Sequence, residues 1–242
     1  MIPAIRAEFR KLLTVRSTYI FLLICAAITI FYAFYIEGFR QASGVASPEK
    51  LASEVVTVAQ GISLFVALAG VLLMTHEYRY STILYSLTSA ASRSYVLFAK
   101  ILVVSVFAIV VTALACSAAP YLTQLGLHMR GLSLTPQDFP FAELLLRSVL
   151  FVWGYSMLAL IIATIVRSQV GAIAGLFLVP GLGEMLLSLL LKDDAKYLPF
   201  STLGSVLQQN PQSYPNALVV LLAYIAAGWL IAWLLFVRRD AN

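Results

Sequence analysis

The sequence predicts an all-α integral membrane protein with six transmembrane helices, on the basis of composition, segment length and periodicity. Hydrophobic residues make up 61% of the 242 residues and charged residues only 11%, which is more apolar than soluble domains of this size. Six apolar segments reach the roughly 20 residues that a helix needs to cross a hydrocarbon core of about 30 Å. None of them alternates polar and apolar residues, so barrel strands are a poor fit.

The first residues predict an amphipathic helix that lies at the membrane interface, over about residues 2–16. Its apolar side chains share one side of a helical wheel and cationic side chains flank them. We expect the apolar side to enter the headgroup boundary while the cations reach lipid phosphates. A basic topology anchor with no further role explains the segment equally well. The site residues assigned to this interfacial helix are Arg6, Phe9, Arg10 and Lys11.

The spans follow one another with short loops, so we predict a single transmembrane domain over residues 1–242. In order, the predicted spans cover residues 17–36, 57–76, 101–124, 148–166, 168–191 and 216–237. The uncharged stretch between Lys196 and Arg238 is longer than one span, but three prolines and several side-chain amides interrupt it. These residues would break a helix in lipid. We therefore predict a re-entrant outer segment before span 6 and no seventh crossing.

The distribution of Lys and Arg predicts that both termini are cytoplasmic. With the N-terminus inside, ten of the sixteen cationic residues but only three of the eleven acidic residues lie on the inner side, as the positive-inside rule requires. The opposite orientation would invert this bias. The basic pI is therefore explained by topology, and we expect no nucleic-acid partner.

Few residues inside the predicted spans are candidates for a functional site. Glu184 follows a proline and two glycines in span 5, where an ionisable side chain is costly because it lies in lipid. It has either a structural or interfacial role or a place in a substrate pathway. Arg147, at the outer end of span 4, either reaches the headgroups or pairs with Glu143 four residues earlier. Gly171 and Gly175 lie on one helical face and allow close helix packing, within the chain or between two chains.

The sequence carries no catalytic or metal-binding motif. Gly154 and Ser156 have the spacing of an intramembrane serine nucleophile, but no neighbouring span contains a histidine that could act as its base. The cysteines and histidines lack metal-ligand spacing. No lysine follows a glycine, so a phosphate-binding loop is missing. We predict that the chain is not an enzyme and that any ATP-driven work comes from another polypeptide.

A charged island, residues 76–82, interrupts two long uncharged runs between spans 2 and 3. It reads Glu77-Tyr78-Arg79 and continues to Thr82, and Arg93 and Lys100 follow before span 3. Together with the Glu-Phe-Arg-Lys stretch that ends at Lys11, this pattern resembles the membrane subunit of a type 2 ABC exporter. In that family an amphipathic N-terminal helix precedes the first span, and a Glu-x-Arg-x-x-Thr stretch follows the second.

The resemblance implies a homodimeric permease in a bacterial-type inner membrane, coupled to two separate cassette ATPase subunits that hold ATP and Mg²⁺. This chain would then need no cofactor of its own. The 77–95 segment would form a cytoplasmic coupling helix, in which Glu77 and Arg79 suit polar contacts with the ATPase and Tyr78 suits apolar contact. The residues assigned to ATPase coupling are Glu77, Tyr78, Arg79, Thr82 and Arg93.

Two alternatives stay open at this point. The charges of the island could merely mark topology and cap a membrane helix. The chain could also be a membrane-embedded interaction or sensor protein that docks a cytoplasmic partner on the same island without moving solute. Nothing in the residues selects a transported substrate.

Overall fold

The computed structural model describes residues 2–40, 48–80, 93–132, 140–207 and 214–238. These ranges are helical apart from short turns and contain no strand. Six of the helices described are long and apolar enough to cross a membrane. The prediction of an all-α chain with six such helices is therefore confirmed.

Helix α1 (Ile2–Thr14) precedes the first apolar helix and is amphipathic, as predicted. Its Leu12 is buried, and Ile5 and Phe9 pack against the core, whereas Arg6 and Arg10 are exposed. The helix ends at Thr14, two residues before the predicted end, because Val15 is extended with φ −78° and ψ 125°. Helix α2 (Arg16–Thr29) then begins and passes into a π-helical segment, π1 (Ile30–Phe39).

Helices α3 (Pro48–Arg79), α4 (Arg93–His128) and α5 (Phe141–Val166) form the centre of the bundle. In the apolar stretches of α3 and α5, 56% and 61% of the residues are buried, because each packs on helices at several sides. Helix α4 has 36 residues and is about 54 Å long at 1.5 Å per residue. It therefore extends beyond both ends of the predicted span, 101–124.

The fifth apolar helix is divided by its proline. Helix α6 (Gln169–Leu178) passes into a π-helical turn, π2 (Val179–Gly183), and continues as α7 (Glu184–Leu191) and a 3₁₀ segment (Lys192–Tyr197). Helix α8 (Pro199–Leu207) packs against α5 and α9 (Tyr214–Arg238). It lies within the segment predicted to be re-entrant, and its relation to a membrane stays a prediction.

The two glycines predicted to allow close packing serve contacts within the chain. A Cβ atom added at Gly171 would lie 2.7 Å from Val166 Cγ1, and one at Gly175 would lie 2.9 Å from Ile162 Cγ2. Both side chains belong to α5. Close approach of α6 to α5 therefore accounts for the small residues at these positions.

The ends of four apolar helices meet at the end of the bundle where α1 lies, which we call the α1 end. Arg79 Nη1, at the end of α3, donates to Gln169 Oε1 at the start of α6, at 3.1 Å. Arg167, directly after α5, donates from Nη2 to the Leu235 carbonyl oxygen of α9 at 3.0 Å. The charge distribution predicts that this end is cytoplasmic.

Candidate functional site

Four charged side chains meet beneath α1, and we call this group the ion-pair ring: Glu8, Lys11, Glu77 and Lys100. Lys11 Nζ lies 2.6 Å from Glu8 Oε1 and also pairs with Glu77 Oε1. Lys100 Nζ lies 2.8 Å from Glu8 Oε2 and 3.2 Å from Glu77 Oε2. Each cation thus bridges the same two carboxylates, and the charges alternate around a closed ring.

Three of the four charged members of the ring are buried. Lys100 is 0% exposed, Glu8 3% and Glu77 6%, whereas the side chain of Lys11 is 37% exposed. Such burial is tolerated because two positive and two negative groups neutralise one another and Lys100 also donates to the Leu73 carbonyl oxygen at 3.2 Å. Removing one member would leave a buried charge without compensation.

Three elements position the ring. Glu8 and Lys11 are three residues apart in α1 and therefore share a face. Glu77 lies in the last turn of α3, and Lys100 lies two turns into α4. The ring consequently ties α1 to both helices that flank residues 81–92.

The charge of Lys11 is set by two opposing effects. Burial lowers the pKa of Lys11, but hydrogen bonds and charge attraction from Glu77 and Glu8 together outweigh it, so the pKa is raised above its ordinary value. Lys11 is therefore protonated throughout the physiological range, as the ring geometry requires.

The residues predicted to contact an ATPase divide into buried and exposed positions. The carboxylate of Glu77 is turned into the ring and contacts α1 and α4, so holding these helices is the role its position supports. Arg79 is exposed, with its guanidinium 5.5 Å from the ring centre of the exposed Tyr80. Tyr78 is half-buried. Arg93 begins α4, whereas Thr82 lies outside the described residues.

Arg167 is a residue at this end that the sequence analysis did not select. It has a left-handed backbone with φ 56°, which ends α5 and allows α6 to follow after Ser168. Its guanidinium lies 5.7 Å from the centre of the Tyr78 ring, in addition to its bond with α9. The only signal in the sequence was a lone arginine between two apolar runs.

Glu184 stabilises the start of a helix. Its carboxylate accepts hydrogen bonds from the backbone N–H groups of Phe200 at 2.6 Å and Ser201 at 2.8 Å, and from Ser201 Oγ at 2.7 Å. These are first-turn groups of α8, which have no partner inside that helix. A negative charge is also favourable at a helix N-terminus. Of the two roles left open, the structural one accounts for the burial of Glu184.

Arg147 forms the predicted ion pair with Glu143, one turn earlier in α5. Its side chain is only 5% exposed, whereas that of Glu143 is 59% exposed. The guanidinium is thus held inside the bundle and the carboxylate lies at the surface.

A further buried carboxyl group, Glu54, lies toward the opposite end of α3 and is 1% exposed. It contacts the hydroxyl of Thr123 in α4, which also lies 3.0 Å from the Ala33 carbonyl oxygen of π1. Glu54 precedes the predicted span 57–76 by three residues. The helix actually begins at Pro48.

The described residues contain no group of three or more His, Cys, Asp or Glu side chains able to hold a metal ion. The family model described as "Protein of unknown function (DUF2705)" matches residues 12–241. The chain belongs to this family. The DUF2705 match includes all six apolar helices. It also includes two ring members, Glu77 and Lys100, whereas Glu8 and Lys11 precede it. A search of curated proteins finds no match.

Proposed function

We propose that this chain is the membrane subunit of an ATP-driven exporter whose ATPase resides on separate polypeptides. The observation that carries the proposal is the ion-pair ring. A cytoplasmic segment that moves can carry membrane helices with it when the helix ends that flank it are held together. The ring holds α3 at Glu77 and α4 at Lys100 against the same helix, α1.

The exposed surface beside the ring is suited to a soluble partner. Arg79 and Tyr80 are exposed at the last residues of α3, and Tyr80 retains 63% of its surface. Cationic and aromatic side chains of this kind are enriched at protein interfaces. In the sequence, Tyr80 is followed by the rest of the proposed coupling segment, 77–95. This part of the segment includes Thr82 and Arg93.

The proposal requires two kinds of partner, cassette ATPase subunits and a second copy of the chain. Its sequence has no phosphate-binding loop, so two cassette ATPase subunits would supply ATP and Mg²⁺. A second copy of the chain would complete the substrate path. Helices α2, α6 to α7 and α9 offer surface for this contact, because only 11–17% of their apolar stretches is buried within the chain.

Co-purification tests the proposal. The tagged chain should bring down a cassette ATPase when both are produced together. Replacing Arg79 and Tyr80 with alanine should reduce the recovered ATPase at least about tenfold, which corresponds to about 1.4 kcal/mol. A matched control replaces Arg16 and Tyr19, which are also exposed near the α1 end but belong to α2. The control should recover ATPase as the unaltered chain does.

A Glu77→Gln variant separates docking from coupling. It leaves Arg79 and Tyr80 unchanged, so we expect the ATPase to remain bound while the link between α3 and α1 weakens. ATP hydrolysis by the complex should then lose its dependence on the membrane subunit. Recovery of no cassette ATPase, or unchanged recovery with the Arg79 and Tyr80 variant, would overturn the proposal. Capture of a cytoplasmic protein without ATPase activity would favour the interaction or sensor function instead.

A further inference from the structure

A cavity of about 480 Å³ lies between α1, the start of α2 and the last turns of α3. Two members of the ion-pair ring, Lys11 and Glu77, form part of its wall. Its volume is in the range of ligand pockets, about 300–1,000 Å³. It belongs to the α1 end of the bundle, next to the helix that the sequence predicts to lie at the membrane interface.

The wall of the cavity changes from apolar to polar along one helix. Ala69, Leu72 and Leu73 line its deeper part, and His76 and Tyr80 line the part nearer the end of α3. Their spacing of three to four residues places them on one face of α3. At 1.5 Å per residue, Ala69 lies about 16 Å deeper in the bundle than Tyr80.

The opposite wall supplies polar groups only at the same level as His76 and Tyr80. Lys11, whose side chain is 37% exposed, Ser17 and Thr18 line it there, beside the apolar Leu12 and Val15. An ammonium group and hydroxyl groups are donors suited to phosphate oxygens. The Glu77 carboxylate also lines the cavity, and its negative charge is offset by its ion pairs with Lys11 and Lys100. The aromatic ring of Tyr80 at this level is typical of the headgroup region of membrane proteins.

We propose that this cavity binds one phospholipid from the leaflet on the α1 side. The phosphate lies among Lys11, Ser17 and His76, and the start of an acyl chain lies along Leu72 and Leu73 while its remainder continues into the bilayer. A phospholipid is selected over a soluble anion because the cavity joins donors at the headgroup level to an apolar wall that leads toward the membrane centre. This inference does not depend on the exporter proposal.

Photo-crosslinking tests the site. The full chain is reconstituted in phosphatidylcholine vesicles that contain a phosphatidylglycerol probe with a diazirine near the top of one acyl chain. Peptides that carry the label are then identified by mass spectrometry. We expect labelling of the segment 69–80 to saturate at a low mole fraction of probe, whereas labelling of lipid-facing helices rises in proportion to the probe.

A cavity-filling variant supplies the second arm. Leu72→Trp should reduce labelling of residues 69–80 at least about fivefold. The matched control, Ala118→Trp, fills an apolar groove between α2 and α4 and should leave that labelling unchanged. If labelling of residues 69–80 in the unaltered chain does not saturate, the probe reports bulk lipid only and the proposal is overturned. This outcome does not depend on whether the variants fold. Equal labelling in the Leu72→Trp variant would overturn it as well.

Discussion

At the residue scale, Lys100 is the side chain whose environment most constrains the molecule. It is fully buried, pairs with two carboxylates and donates to a backbone carbonyl oxygen. A buried ion pair seldom adds net stability over apolar packing, but breaking one is costly because the remaining charge stays desolvated. The main effect of the ring is therefore to fix the relative positions of α1, α3 and α4.

Replacing Lys100 with methionine should lower the free energy of unfolding by about 3–5 kcal/mol, because Glu8 and Glu77 would then share a single cation. Thermal unfolding in detergent should show a midpoint lower by roughly 10 °C. Arg16→Met, which removes an exposed cation, should change stability by at most about 1 kcal/mol. Adding Glu8→Gln to Lys100→Met should restore part of the loss. Equal midpoints for Lys100→Met and the unaltered chain would contradict this account.

At the element scale, the contact between π1 and α4 is close and depends on two glycines. A Cβ atom at Gly126 would lie 2.5 Å from the Phe34 carbonyl oxygen and 2.9 Å from Gly38 Cα. Both neighbours are backbone atoms, which cannot rotate away as a side-chain tip can. Arg130 strengthens the same contact by donating from Nη1 to the Phe39 carbonyl oxygen at 2.8 Å.

Gly126→Ala should destabilise the protein by about 1–3 kcal/mol, because the added methyl group forces π1 and α4 apart. Thermal unfolding in detergent measures the effect. Gly204→Ala is the matched control, since a Cβ atom there would meet no atom within 4 Å. It should be neutral or stabilising, because alanine favours helix more than glycine does. The prediction fails if both variants unfold at the same temperature.

At the scale of the whole molecule, the arrangement of helices and charges predicts a membrane orientation. The α1 end carries the exposed Arg6, Arg10 and Arg79. The opposite end carries acidic residues such as the exposed Asp193 and Asp194. The positive-inside rule therefore predicts that the α1 end is cytoplasmic.

Single-cysteine labelling checks this orientation. Arg10→Cys in α1 and Met129→Cys, at a residue that is 66% exposed at the other end, are each introduced into a chain whose Cys25 and Cys116 are replaced by alanine. An impermeant maleimide should label position 129 in intact cells and position 10 only after permeabilisation. Labelling in the reverse order would show the opposite orientation and would also move the proposed coupling surface to the outside.

The number of spanning helices and the amphipathic α1 were predictable because hydrophobicity and helical periodicity are local properties of the chain. The ends of α3 and α4 were harder to predict, since tertiary packing extends these helices through polar residues such as Glu54 and Lys100. The same limit applies to Glu77, for which the sequence predicts a contact with an ATPase. Its burial depends on cations that come from α1 and α4.

The class of the protein, six apolar helices preceded by an amphipathic one, follows from the sequence, because each such helix depends on residues near one another. Which charges meet depends on the tertiary structure. Glu8 and Lys100 are 92 positions apart, and Glu184 reaches Phe200 only because the chain reverses after α7. Charge pairing inside a low-dielectric bundle depends on distances across helices, which no local pattern records.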